Sequence, residues 1–222
     1  MSVLTHDRLA AKADKLQHLQ LRMMLAARLA TLESSMRALM GLEDALSRFA
    51  GEYFDAVGGY VTALAERGKK QTMPTADIQR VDIALHEQLA QQRAERKKQL
   101  KHSYRALART FHPDTNTGCA RAEQMMQKIN AAYAASDVAT LARLEIEHLD
   151  LCEDTDLLAE KMARCEALIG ACSEQREALE ASPLFALHER TLLARLAGED
   201  FIGRVVKGLK AQLEQHDSAH AA

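Results

Sequence analysis

This sequence predicts an all-α fold, and three observations carry that prediction. Ala, Leu, Glu, Gln, Arg and Lys dominate, and these residues lose little side-chain freedom in a helix. Only 10 Gly and 3 Pro are present to interrupt helices, and aromatic residues, which favour strands, make up 4%. Leucine and methionine recur at threes, fours and sevens, the period of an amphipathic helix and not the alternation of a strand. At 222 residues the chain is long enough for one large or two small domains with a real core. The expected architecture is a long helical arm over 1–73, a central helical hairpin within 74–137 and a C-terminal helical segment over 138–222.

In the arm, Leu9, Leu16, Leu19, Met23, Leu29, Leu32, Met36, Leu39, Leu42 and Leu46 form a coiled-coil-like seam. A second run, Tyr53 to Arg67, is able to fold back on it, with Gly58-Gly59 as a bend or a close-packing point. The arm is therefore expected either to close as a hairpin or to pair with a second copy as a homodimer. The polar stretch from Gly68 to Pro74 reads as a linker, because proline lacks an N–H and disfavours helix in the residue before it. Thr75 then caps a helix that runs to about Phe111, and Pro113 breaks it. After a second helix ending near Tyr133, Ser136-Asp137 starts another to about Leu151, and Asp154-Thr155 starts one to about Ala181. Ser182-Pro183, an N-cap followed by a first-turn proline, opens the last strong helix, to about Ala197, with Gly198 as its stop. The tail from His216 reads as frayed.

A formal net charge of -2 excludes a globally basic protein that coats polyanions, so any electrostatic recognition rests on local clusters. One cluster stands out. Between Arg93 and Arg109 lie Arg93, Arg96, Lys97, Lys98, Lys101, Arg105 and Arg109 against a single acid, Glu95. Positions 93, 97, 101, 105 and 109 are spaced by four and wind slowly along a helix as one positive stripe. Leu100, Tyr104, Leu107 and Phe111 form a separate apolar face of the same helix. The helix stops at His112-Pro113-Asp114. Beyond the loop, Met126, Ile129 and Tyr133 share one face of the following helix. Two amphipathic helices joined by a short loop pack antiparallel through such faces.

The string LKHSYRALARTFHPDTN resembles helix II and the tripeptide loop of a J domain, and AEQMMQKINAAYAASD is similar to J-domain helix III. The departures are specific. No Tyr-x-x-Leu-Gly-type first helix precedes Lys101, Thr115 stands in place of the customary Lys, Phe111 replaces a Tyr and Ala106 replaces a common basic residue. The layout resembles bacterial DnaJ-like proteins with a helical N-terminal extension. The resemblance implies a co-chaperone that catalyses nothing itself. It implies that Lys97, Lys101, Arg105 and Arg109 face an acidic surface of a DnaK-class heat-shock chaperone. It further implies that His112, Pro113 and Asp114 reach that partner and promote its ATP hydrolysis. The alternative is a structural or adaptor protein whose J-like hairpin is only an interaction surface. In either case a client or assembly partner is expected to meet the N- or C-terminal helices.

Other chemistries are poorly represented. Nucleic acid is not expected, because no aromatic residues interleave the basic stripe and no basic excess lies elsewhere. His148 and Cys152 have half-site spacing, and Cys119, Cys165 and Cys172 complete no set of four ligands, so neither a metal nor another cofactor is expected. No Ser, Cys or paired-carboxylate arrangement points to an enzyme. No stretch approaches the ~18 apolar residues of a membrane span. The opening residues, Met1 to Arg8, lack a cationic stretch followed by an apolar run, and the expected setting is the cytoplasm with reduced thiols.

Overall fold

The computed structural model describes the backbone of residues 3–67, 75–148 and 155–220, and side chains over most of these. All regular structure among the described residues is helical: α1 (Val3–Glu66), α2 (Thr75–Phe111), α3 (Ala120–Ala134), α4 (Val138–His148), α5 (Thr155–Glu180), α6 (Pro183–Leu196) and α7 (Phe201–His220). The expected linker at 68–74, the cap at Thr75, Leu9 of the seam and Cys152 all lie outside the described residues or side chains.

The chain divides into two compact units built from non-consecutive segments. The first takes Met1–Leu39 and Ala94–Glu174, the second Met40–Arg93 and Gln175–Ala222. In the first unit, Leu25, Leu29 and Leu32 of α1 pack with Ile146 of α4 and with Leu158 and Cys165 of α5. Leu21, Met36, Met162 and Ile169 extend this cluster. Burial pushes the Cys165 thiol above its ordinary pKa, so it behaves as a small apolar side chain.

Helix α4 is the centre of this unit. Val138, Ala139, Leu141, Ala142, Leu144 and Ile146 are all buried, which leaves one narrow wet face of Thr140, Arg143 and Glu147 on an 11-residue helix. A wide apolar arc of this kind marks a helix with neighbours on more than one side. It is tied to α1 by a network of charges. Arg37 donates to Asp137 at 2.8 Å and pairs with Glu33 at 2.6 Å, while Arg143 donates to Glu33 at 3.0 Å. Burial pushes the Glu33 carboxyl up, but the Arg143 hydrogen bond and the Arg37 and Arg143 charges outweigh it and hold Glu33 below its ordinary value of 4.5. Asp137 is likewise held below 3.8, burial being outweighed by hydrogen bonds from Thr140 and Arg37.

The turn between α3 and α4 joins two capping devices. Ser136 adopts a left-handed backbone, φ 55°, and its N–H donates to Tyr133 O while the Asp137 N–H donates to Ala132 O at 2.8 Å. This is the Schellman closure, usually made by glycine. Asp137 then accepts the Thr140 N–H at 3.0 Å and so also caps α4. The α6–α7 turn repeats the closure with Gly198, φ 75°, whose successor Glu199 donates to Ala194 O. There Asp200 supplies the cap by accepting from Gly203 N at 2.9 Å. A Cβ on Gly203 would lie 2.1 Å from Asp200 Oδ2, so glycine keeps that cap in place.

The second unit shows two departures from the sequence reading. Helix α1 passes through Gly58-Gly59 unbroken, so Tyr53 to Arg67 continues the helix and does not fold back. The two glycines cost about 1 kcal/mol each in a helix. Tyr53, Val57, Val61 and Leu64 are 1–3% exposed and form a fully buried ridge across them, which offsets that cost. Beyond α6, the chain forms α7 in place of a frayed tail, and His216 is buried at 8% exposure. Ile202 and Leu209 of α7 are buried, Arg190 lies 5.8 Å over the Phe201 ring, and Lys210 lies 5.6 Å over Tyr60. Phe49 meets His188 edge-on at 5.0 Å. Ser182 caps α6 by accepting from Phe185 N at 3.2 Å, and α6 ends at Leu196 with Gly198 as its stop. Both features follow the sequence reading.

Two predictions come from these turns. Ser136→Gly should raise stability by roughly 0.5–1 kcal/mol, since it removes left-handed strain, and Gly198→Ala should lower it by a similar or larger amount. Urea unfolding of the two variants checks this. Because the Glu33 and Asp137 pKa values are depressed in the fold, their contribution is complete above the ordinary carboxylate range and is lost as pH falls through the lowered values. Asp137→Asn should therefore be less stable than wild type near about pH 7, with the gap narrowing as pH falls below the ordinary carboxylate range of about 4. Urea midpoints along that range read the gap.

Candidate functional site

The central hairpin consists of the C-terminal half of α2, the loop 112–119 and α3. Leu100, Leu107 and Phe111 of α2 are buried, and Tyr104 is half-buried. The Tyr104 ring stacks on Tyr133 of α3 at 4.3 Å, and its hydroxyl donates to Asn130 Oδ1 at 3.1 Å. In α3, Ile129 is fully buried, whereas Met126 and Tyr133 are half-buried. The buried residues besides Ile129 are Ala122, Met125 and Ala132. Ala122, Met125 and Ala132 thus widen the buried arc beyond the expected face of Met126, Ile129 and Tyr133. Helix α3 meets α2 through Tyr133, while Met125 and Ala132 line a groove whose far wall is Thr140 and Leu144 of α4. A helix with a neighbour on each side buries a wider arc than a two-helix hairpin requires.

Helix α4 also reaches α2. Ser103, 2% exposed, donates to Glu145 at 2.8 Å, and Phe111 packs edge-on against His148 at 5.4 Å. Burial is the largest cause pushing the His148 pKa down. Glu147 opposes it, while Arg121, Lys161 and Lys128 add to it, so the ring is neutral near neutral pH. Phe111 is the residue immediately before the tripeptide, and this contact anchors the base of the loop.

The loop is closed by its own polar groups. Asn116 Nδ2 donates to Thr110 O at 2.9 Å, to His112 O at 3.2 Å and to Thr115 Oγ1 at 3.0 Å. It thereby satisfies carbonyls that the end of α2 leaves without helical partners. The N–H groups of Thr115 and Asn116 both reach His112 O at 3.1 Å, and Cys119 N reaches Asn116 O. Gly118 takes φ 76°. Sequence reasoning passed over Asn116. The signal available was an amide side chain just beyond a helix end, where such residues close turns.

His112 and Asp114 stand above this frame with 50% and 85% of their side chains exposed. The Asp114 N–H donates to His112 Nδ1 at 3.2 Å. Asp114 Oδ2 lies 3.4 Å from the same Nδ1. Pro113 is exposed between them. Along α2, Lys97, Lys101, Arg105 and Arg109 are all exposed and form no ion pair among the described residues. Two neighbours are engaged, for Lys98 pairs with Glu95 at 2.6 Å and Arg93 with Asp44 at 3.2 Å. Tyr104, Arg105, Ala108, Arg109, His112 and Thr115 line a shallow groove of about 390 Å³ beside the loop. Among the described residues, no group of three or more His, Cys, Asp or Glu is placed to hold a metal ion. No described helix is long and apolar enough to cross a membrane.

Asn116→Ala should leave the helices intact but loosen the loop, at a cost of about 1 kcal/mol. The expected readout is faster hydrogen exchange at the amides of Thr115 and Cys119, with unchanged circular dichroism.

Comparison with known proteins adds one finding. No curated protein and no solved structure matches the chain. Residues 85–135 match the family model of the DnaJ domain, and the remaining residues lie outside that match. The matched stretch holds the lower part of α2, the whole tripeptide loop and α3. The stretch that matches the DnaJ domain thus lies inside a longer helical chain, with helices on both sides of it.

Proposed function

We propose that this protein is a co-chaperone of the cytoplasm that stimulates ATP hydrolysis by a DnaK-class heat-shock chaperone. It performs no catalysis of its own. His112, Pro113 and Asp114 deliver the stimulus, and Lys97, Lys101, Arg105 and Arg109 guide the encounter. The observation that carries the reading is the coincidence of an exposed His-Pro-Asp loop, a row of exposed cations leading to it, and the DnaJ-domain match over both. A cationic row of this kind steers association with an acidic surface and makes it salt-sensitive, adding more to the on-rate than to the affinity. Asp114 supplies an exposed carboxylate suited to a charge-assisted hydrogen bond with a partner guanidinium. The J-domain-like region of 74–137 then acts as the delivering module, and the helices over 1–73 and 138–222 carry it and meet whatever client or assembly partner is engaged.

His112→Gln and Asp114→Asn should each abolish stimulation of the chaperone's single-turnover ATPase, with helical content unchanged and a folding cost below about 1 kcal/mol. Charge reversal at Lys101 or Arg105 should weaken stimulation in a graded way and flatten its salt dependence. Absence of stimulation by the wild type, or full stimulation by the His112 variant, would overturn the co-chaperone reading in favour of an adaptor.

A further inference from the structure

Within the first unit, α3 and α4 enclose a groove of about 690 Å³, a volume typical of ligand sites. The turn at Ser136-Asp137 reverses the chain, so His148 at the end of α4 comes back beside the first turn of α3. Arg121 and Lys128 of α3 line the groove towards that end. Both are exposed, and neither forms an ion pair or hydrogen bond among the described residues. Both act on His148, whose pKa they help to depress. The acids of the lining are committed elsewhere. Asp137 is held by Arg37 and Thr140, and Glu147 lies 3.7 Å from Arg143 Nε. His148 Nε2 is buried and meets no hydrogen-bond partner among the described residues, a state that buried polar atoms rarely keep. Away from His148 the groove turns apolar. Met125 and Leu144 lie in its floor, and Ala131 and Ala135, both exposed, line it towards the turn.

The occupant follows from this division. A nucleic acid or polyphosphate is met by cations along its whole length, whereas half of this groove carries none that is free. A membrane surface takes an outward-facing apolar face and not a trough between two helices. An open trough with free cations at one end and alanines at the other matches a short peptide segment that is acidic at one end and aliphatic along the rest. Its carboxylates meet Arg121 and Lys128 by charge complementarity, and its side chains lie over Met125 and the alanines.

We propose that the α3–α4 groove binds an acidic-then-aliphatic peptide segment of a partner protein, with Arg121 and Lys128 as its carboxylate contacts. The intact protein is titrated with a short synthetic peptide of two glutamates followed by leucine and alanine, and nuclear magnetic resonance reads the binding. Shifts should centre on Lys128, Ala131 and the His148 ring and saturate together. The same peptide with glutamines in place of the glutamates should bind about tenfold more weakly. Exposed ion pairs are individually weak, so Arg121→Gln and Lys128→Gln should each cost about threefold, and both together about tenfold. Ala131→Phe, at an exposed position, should block the groove and abolish binding of either peptide. Equal binding of the two peptides, binding that survives Ala131→Phe, or shifts centred on Lys101 and Arg105 of the α2 stripe would overturn the proposal. So would decanoate producing the His148 shifts at lower concentration than the peptide, which would assign the groove to a small carboxylate. No chaperone is present in these measurements, so their failure leaves the co-chaperone reading untouched.

Discussion

The carboxylate of Asp137 is where three helices of the first unit are fastened together. Its own N–H closes the end of α3 on Ala132, its Oδ1 accepts the first-turn N–H of α4, and its Oδ2 accepts from Thr140 and from Arg37 of α1. One residue therefore ends one helix through its backbone, and through its side chain starts the next and holds it to a third. Two arginines keep the carboxylates of this network ionised in a half-buried setting, where an unpaired charge would be costly. Without that fastening, the six buried apolar residues of α4 have no fixed direction in which to be buried.

What α4 then does is supply the packing that the two-helix hairpin lacks. A DnaJ-like hairpin without a recognisable first helix leaves the outer flanks of α2 and α3 wet. Here Met125 and Ala132 of α3 and Ser103 and Phe111 of α2 are covered or bonded from the α4 side. The support ends one residue short of the tripeptide, at Phe111. Above that point the polar frame made by Asn116 takes over, so His112 and Asp114 project from a fixed base while remaining wet. Rigid anchorage below and exposure above is the arrangement an encounter surface needs, since ordering a loose loop on binding would consume part of the interaction energy.

Much of this was legible in the sequence, and the exceptions have physical causes. The ends of α2, α3, α5 and α6 were readable because prolines, glycines and capping residues stand at them. Helix α7 was not, because Gly203 and Gly208 and the Val205-Val206 pair argue locally against helix, although Ile202 and Leu209 stand two turns apart on one buried face. Tertiary burial overrode propensity there, as it did across Gly58-Gly59. The basic stripe and the tripeptide were visible as linear patterns, whereas Asn116 and Ser103 were not. Their roles depend on carbonyls and carboxylates brought near by the fold. The arm's periodic leucines read as one seam, yet they serve two faces, because a spacing of three or four does not by itself say which side of the helix is covered.

The order in which the chain is assembled sets a time scale on the first unit. Arg37 is made 100 residues before its partner Asp137. At ~5–20 residues per second of synthesis, the apolar face of α1 waits roughly 6–28 s for the α4 and α5 residues that cover it. Throughout that interval Leu25, Leu29 and Leu32 lie bare on a nascent helix, with Leu16, Leu19 and Met23, which stay exposed in the folded chain, on its other side. A protein read as a helper of other proteins' folding thus passes through a stage in which its own longest helix is the kind of segment a chaperone holds.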